Sequence, residues 1–216
     1  MRAFWIFSLA LSLLALLSAL APAASVASLH PWQYTRQLTA TNSSASAATG
    51  VVLVRLTTSN FTYANANANG TDVRFTTDQT GNTVNLEHYI ETWNSNGESL
   101  IWVRLSNVSG GGTQDFYMFY GDPALTTTGS DFNATFPNAF VSSGSTTLTG
   151  TQNVDWFEVR ANDSVTVGTG STLSVQGAAR VIVAGTINGN GRGFSGGSVS
   201  QNGTGPGFGR NGGGDG

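Results

Sequence analysis

The chain has 216 residues, a net charge of −3 and only 10% charged side chains, against roughly 25% in ordinary soluble domains. Its surface therefore draws polarity from Ser, Thr, Asn and Gly, and it offers no basic field for nucleic acid. Cysteine is absent and all nine basic residues are arginines, which excludes thiol chemistry, disulfides, zinc-thiolate sites, a phosphate-loop lysine and Schiff-base catalysis. With only His30 and His88, no cluster of histidine metal ligands is available either. Hydrophobic residues at 39% and aromatics at 10% are enough to bury a core.

Residues 1–27 read as a secretory signal: Arg2, an apolar run from Phe4 to Leu20, and a small-residue exit at Ala21-Pro22-Ala23. The run approaches spanning length, but no stop-transfer flank follows. The expected product is secreted or displayed at the cell surface, touching membrane only through this segment. Residues 28–140 read as a β-sandwich. Leu29–Leu38 alternates Trp32, Tyr34 and Arg36 against Gln33, Thr35 and Gln37, the period of a strand. Val51–Leu56 is a short apolar strand, Asn60–Gly70 a polar connection, and Asp72–Thr76 a further strand. The stretch Leu86–Tyr120 then holds three apolar-aromatic runs divided by Asn94–Gly97 and Gly110–Gly112, which are turn chemistry. Ile101, Val103 and Leu105 oppose Leu100, Trp102 and Arg104, while Phe116, Met118 and Tyr120 oppose Tyr117 and Phe119. The expectation is an antiparallel meander.

These motifs resemble a known family in their order. Trp32-x-Tyr34-x-Arg36, Asp72-Val73-Arg74-Phe75, Tyr89-Ile90-Glu91-Thr92-Trp93, Ile101-Trp102-Val103 and Phe116–Asp122 resemble domain-of-unknown-function family 2341, over about Trp32 to Phe136. That family occurs in exported bacterial and archaeal surface proteins, often beside lectin-like sandwiches. The resemblance implies a jelly-roll or lectin-like sandwich and glycan contact, and brings no catalytic residues with it.

Residues 141–153, rich in Ser, Thr and Gly, read as a linker. From 154 to 190 the strands shorten and recur: Asp155–Arg160, Ser164–Val167, Thr172–Val175 and Ala179–Ala184. This rhythm resembles the first coil of a parallel β-helix-like solenoid, in which each coil buries its apolar side on the next. Residues 191–216 form a glycine-rich segment, read either as a truncated repeat or as a flexible tail. Gly193–Gly197 matches the nucleophile-elbow pattern and Gly191–Gly196 the dinucleotide pattern. Both lack the following helix, and no histidine lies downstream, so both are chance matches.

Glu87, Tyr89, Glu91 and Trp93 fall on one face of an extended strand, opposite Leu86, His88 and Ile90. They either pack against a neighbouring sheet or form a sugar-binding face. The candidate ligand-binding residues are Trp93, Glu91, Tyr89, Trp102 and Arg74, and no catalytic or metal-binding residue is assigned. Asp72, Asp78 and Asp122 read as turn residues, with Ca²⁺ as an unsupported alternative and no other cofactor. Seven N-x-S/T sequons, at Asn42, Asn60, Asn69, Asn107, Asn133, Asn162 and Asn202, are glycosylation candidates.

The expected function is a structural or adhesive surface protein, not an enzyme, with weak carbohydrate binding by the sandwich. Its expected partners are glycans or other envelope components. The alternatives are a ligand-free envelope or filament module, or the N-terminal part of a polysaccharide-degrading β-helix enzyme.

Overall fold

Alternating apolar residues build the fold, and a computed structural model describes residues 32–81 and 85–195. The chain divides into two units, one ending at Pro137 and the next beginning at Asn138. In the first unit the strands are β1 (Tyr34–Thr41), β2 (Ala48–Thr57), β3 (Arg74–Thr76), β4 (His88–Thr92), β5 (Glu98–Val108) and β6 (Thr113–Tyr120). They form two antiparallel three-stranded sheets, ordered β1-β6-β3 and β2-β5-β4. Leu38 and Ala40 of β1, Phe75 of β3, and Phe116 and Met118 of β6 meet Val52, Val54 and Leu56 of β2 and Ile101, Val103 and Leu105 of β5 in one buried cluster. Apart from Ala40, each such side chain contributes about 1.5–3 kcal/mol when fully buried. The period-two pattern thus becomes a sandwich core between two sheets.

The expected meander is corrected. β4 and β5 are antiparallel neighbours, but β6 joins the other sheet and pairs with β1 and β3. The chain crosses between sheets at the corner formed by the end of β5 and the turn after it, where Asn107 (φ 58°) and Gly111 (φ 64°) redirect it. Gly110 passes so close to Ala45 that a Cβ there would lie 2.3 Å from the Ala45 carbonyl oxygen. Burial explains the crossing. β5 and β6 each carry a full apolar face, and the two faces can be covered by one another only from opposite sheets.

The second unit is a solenoid of parallel strands: β7 (Ala139–Val141), β8 (Ser145–Leu148), β9 (Gly150–Asn153), β10 (Trp156–Val159), β11 (Ser164–Val167), β12 (Leu173–Gln176), β13 (Arg180–Val183) and β14 (Thr186–Asn188). Three parallel sheets, β7-β10-β13, β8-β11-β14 and β9-β12, make its sides. Residues 141–153 are not a linker, since β8 and β9 pair in register with β11 and β12 as part of the first coil. The described residues therefore hold two full coils and two sides of a third, beginning near Ala139 and not at 154. The first coil lacks the apolar alternation of the later ones because its inward positions include Thr146, Gly150 and Gln152, which stack over Val165, Leu173 and Val175. Phe140 stacks on Phe157, with ring centroids 4.9 Å apart. Phe157, Val159 and Val165 form the buried centre of this unit. The signal at 1–27 and the sequon at Asn202 lie outside the described residues, as does most of the glycine-rich segment.

Candidate functional site

The outer face of the β2-β5-β4 sheet gathers three of the five candidate residues. The pairing register sets Leu53, Trp102 and Tyr89 in one row across the sheet. A single-turn helix, α1 (Phe132–Thr135), lies with the following Phe136 against Tyr89 and Trp102 of this row. Asp131 caps α1, its carboxylate accepting the Ala134 N–H at 3.0 Å. The strap is fixed to β4 by the Asp131 N–H donating to the His88 carbonyl (2.8 Å) and the Ile90 N–H donating to Ser130 Oγ (2.9 Å). Arg104 Nη1 adds a bond to the Thr135 carbonyl at 3.1 Å. Phe132 and Phe136 stand edge-on to the Tyr89 ring, at 5.1 and 6.2 Å, and Phe136 meets Trp102 at 6.0 Å. Trp102 is 6% exposed, and its Nε1–H donates to Glu91 Oε2 at 2.8 Å. Tyr89 and Glu91 stay half-buried. Trp102 is thus an interior anchor with no free ring face for stacking, whereas Tyr89 keeps part of its surface in water.

Trp93 is not on that face. A bulge shifts the register between Ile90 and Thr92, and the extra residue reverses the alternation beyond it. Trp93 therefore packs on the sandwich core, edge-on to Tyr63 (5.3 Å) and Phe61 (6.0 Å). Gly70 lies against it at φ 66°, and a Cβ there would come within 2.6 Å of the indole. Arg74 sits on β3 in the other sheet. Its guanidinium donates to the carbonyls of Thr71, Val73 and Thr127 at 2.7–2.8 Å. Burial lowers its pKa, opposed by Asp72 and Asp122. Arg74 holds a loop rather than facing a ligand with Tyr89.

The aspartates are backbone acceptors. Asp72, fully buried, accepts the N–H groups of Asn67 (2.9 Å) and Gly121 (2.6 Å). Asp122 accepts that of Ala124 and Asp78 that of Thr80. Among the described residues no three His, Asp or Glu side chains are grouped to hold a metal ion. His88 is buried against Phe75 (ring centroids 5.2 Å apart), and its Nε2 has no hydrogen-bond partner. Burial lowers its pKa to about 4, Arg74 adding to the shift and the Leu86 carbonyl opposing it. It is a core histidine.

Residues 69–159 match the family model of a domain of unknown function, DUF2341. The matched segment runs from the turn before β3 through α1 and on to the last residue of β10. It includes the aromatic row, the strap above it and the first solenoid coil. No curated protein and no solved structure matches the chain.

Sequence reasoning missed Phe132, Phe136 and the α1 strap. The signal was present in Asp131-Phe132-Asn133-Ala134-Thr135-Phe136, a capping aspartate followed by two aromatics at helical i, i+4 spacing. Of the sequon asparagines, Asn42 is buried and Asn60 half-buried, while Asn69, Asn107, Asn133 and Asn162 are exposed.

Proposed function

We propose that this chain is a structural and adhesive part of an exported surface protein, a sandwich followed by a solenoid that grows by stacking. One observation carries the reading. Val181, Val183 and Ile187 are 55%, 49% and 42% exposed, although they occupy the register positions directly over buried Phe157, Val159 and Val165. Apolar residues at these positions suit a stack that takes further coils on this side. The sandwich supports the same reading, because Trp93 and Trp102 are spent on internal packing. Glycoside hydrolysis requires a pair of carboxyl groups disposed about a bond, and Glu91 already accepts the Trp102 N–H.

Weak glycan contact falls to Tyr89 with Glu91, because a half-exposed ring beside a carboxylate offers an apolar face and a hydroxyl acceptor together. The test pairs antibody detection of the epitope-tagged full chain on intact cells with a polysaccharide panel scored for retention and for release of reducing ends. Surface signal, no reducing ends, and weak retention lost in Tyr89→Ala but kept in Trp93→Phe are expected. Release of reducing ends would overturn the structural reading in favour of a polysaccharide-degrading enzyme. A signal confined to the cell interior would overturn export.

A further inference from the structure

We propose that Asn69, Asn107, Asn133 and Asn162 carry N-linked oligosaccharide in the folded protein, whereas Asn42 and Asn60 do not. All six head N-x-S/T sequons, and the structure separates them by exposure and by the bonds that the Asn42 and Asn60 carboxamides make. Asn42 Nδ2 donates to the carbonyls of Ser46 and Val108, both at 2.9 Å, and its Oδ1 accepts the Ser44 N–H at 2.9 Å. Both amide hydrogens are used, and the side chain ties the loop after β1 to the end of β5. Asn60 Oδ1 accepts the Thr57 N–H at 2.8 Å, and its Nδ2 donates to the Arg55 carbonyl at 3.2 Å. A sugar on either nitrogen replaces an amide hydrogen with a bulky hydrophilic group. A chain modified at Asn42 cannot close its loop, so the folded protein carries no glycan there.

Of the other four, Asn69 and Asn162 are displayed on connections, Asn107 at the exposed end of β5 and Asn133 on the exposed side of α1. Asn69, Asn107 and Asn162 have φ values of 62°, 58° and 70°. The left-handed turn itself accounts for asparagine at these positions. It does not account for Thr71, Ser109 and Ser164 two residues on. Ser109 is exposed along with Asn107, which makes that corner the most open acceptor. Thr71 and Thr135 donate their hydroxyls to the carbonyls of Leu125 and Asp131, so transfer at Asn69 and Asn133 precedes closure of those loops. In the reaction the asparagine Nδ2 attacks the anomeric carbon of a lipid-phosphate-linked oligosaccharide. A C–N bond replaces the anomeric C–O bond, the lipid phosphate leaves with the electron pair, and it takes up the proton lost from nitrogen.

The inference rests on the export reading, because the activated donor meets only exported chains. The full chain is therefore made with a C-terminal tag holding an efficient sequon, in a host that glycosylates exported proteins, and the folded product is mapped by glycopeptide mass spectrometry. Glycan on the peptides of Asn69, Asn107, Asn133 and Asn162, and none on those of Asn42 and Asn60, is the expected result. Each Asn→Gln variant, and Ser109→Ala or Ser164→Ala where the turn needs its asparagine, should remove one glycan mass. A modified tag with all four sites bare, or a glycan on Asn42 in folded protein, overturns the assignment. A bare tag overturns the export reading, and this inference falls with it.

Discussion

His88 shows what a single buried side chain contributes. Its imidazole lies in the sandwich core with Nε2 unpartnered, and its pKa falls from 6.5 to about 4, chiefly through burial. A base whose pKa is depressed on folding binds its proton more readily in the unfolded chain. Its stabilising effect is complete above pH 6.5 and declines as pH falls from there towards 4. The loss across that window is roughly 3 kcal/mol, at about 1.4 kcal/mol per pH unit. Urea titrations at pH 7 and pH 4 measure it, and His88→Leu should flatten the difference. An unchanged pH slope in the variant would assign the acid sensitivity elsewhere. At Gly70 the constraint is steric, with a left-handed φ and the Trp93 ring 2.6 Å from any Cβ. Gly70→Ala should destabilise by about 1–3 kcal/mol, read from a lowered urea midpoint. An unchanged midpoint would mean that the Trp93 packing yields freely.

Among the elements, α1 and the β4 bulge decide what the outer sheet face presents. The helix is one turn long and cannot stand alone. Its cap and its two phenylalanines hold it over Tyr89 and Trp102. Asp131→Ala removes the cap and should cost about 1 kcal/mol. A red shift in tryptophan emission at sub-denaturing urea is expected as water reaches Trp102, and an emission profile identical to the parent's would show that the strap holds without its cap. The bulge acts oppositely on Trp93, turning it from the outer face to the core. No alternation rule reads such a slip, because the pattern on either side of it is regular.

At the scale of the whole molecule, each unit has an apolar cluster of its own among the described residues, and the solenoid's cluster is graded along its stack. Phe157, in the middle coil, is 1% exposed between Phe140 and Val181, while Val183 in the third coil is 49% exposed. Phe157→Ala should cost about 3–5 kcal/mol, whereas Val183→Ser should stay within about 0.5 kcal/mol. Chemical denaturation of both variants tests the gradient. Equal losses would mean that the third coil is covered and that the stacking surface is not open.

Period-two patterning, with glycine and asparagine at the turns, determined the all-β class, the face-sharing sets Ile101/Val103/Leu105 and Phe116/Met118/Tyr120, and the repeating character beyond residue 154, while the structure decided that these sets face the core. Backbone geometry fixes side-chain alternation locally, so these features need no knowledge of what lies across the core. Only the tertiary structure decided that β6 leaves the sheet of β5, that Trp93 turns inward, and that residues 141–153 are a coil. Each depends on a partner distant in the chain: the opposing sheet for β6, Phe61 and Tyr63 for Trp93, and the strands β11 and β12 for polar inward positions that bury only when stacked.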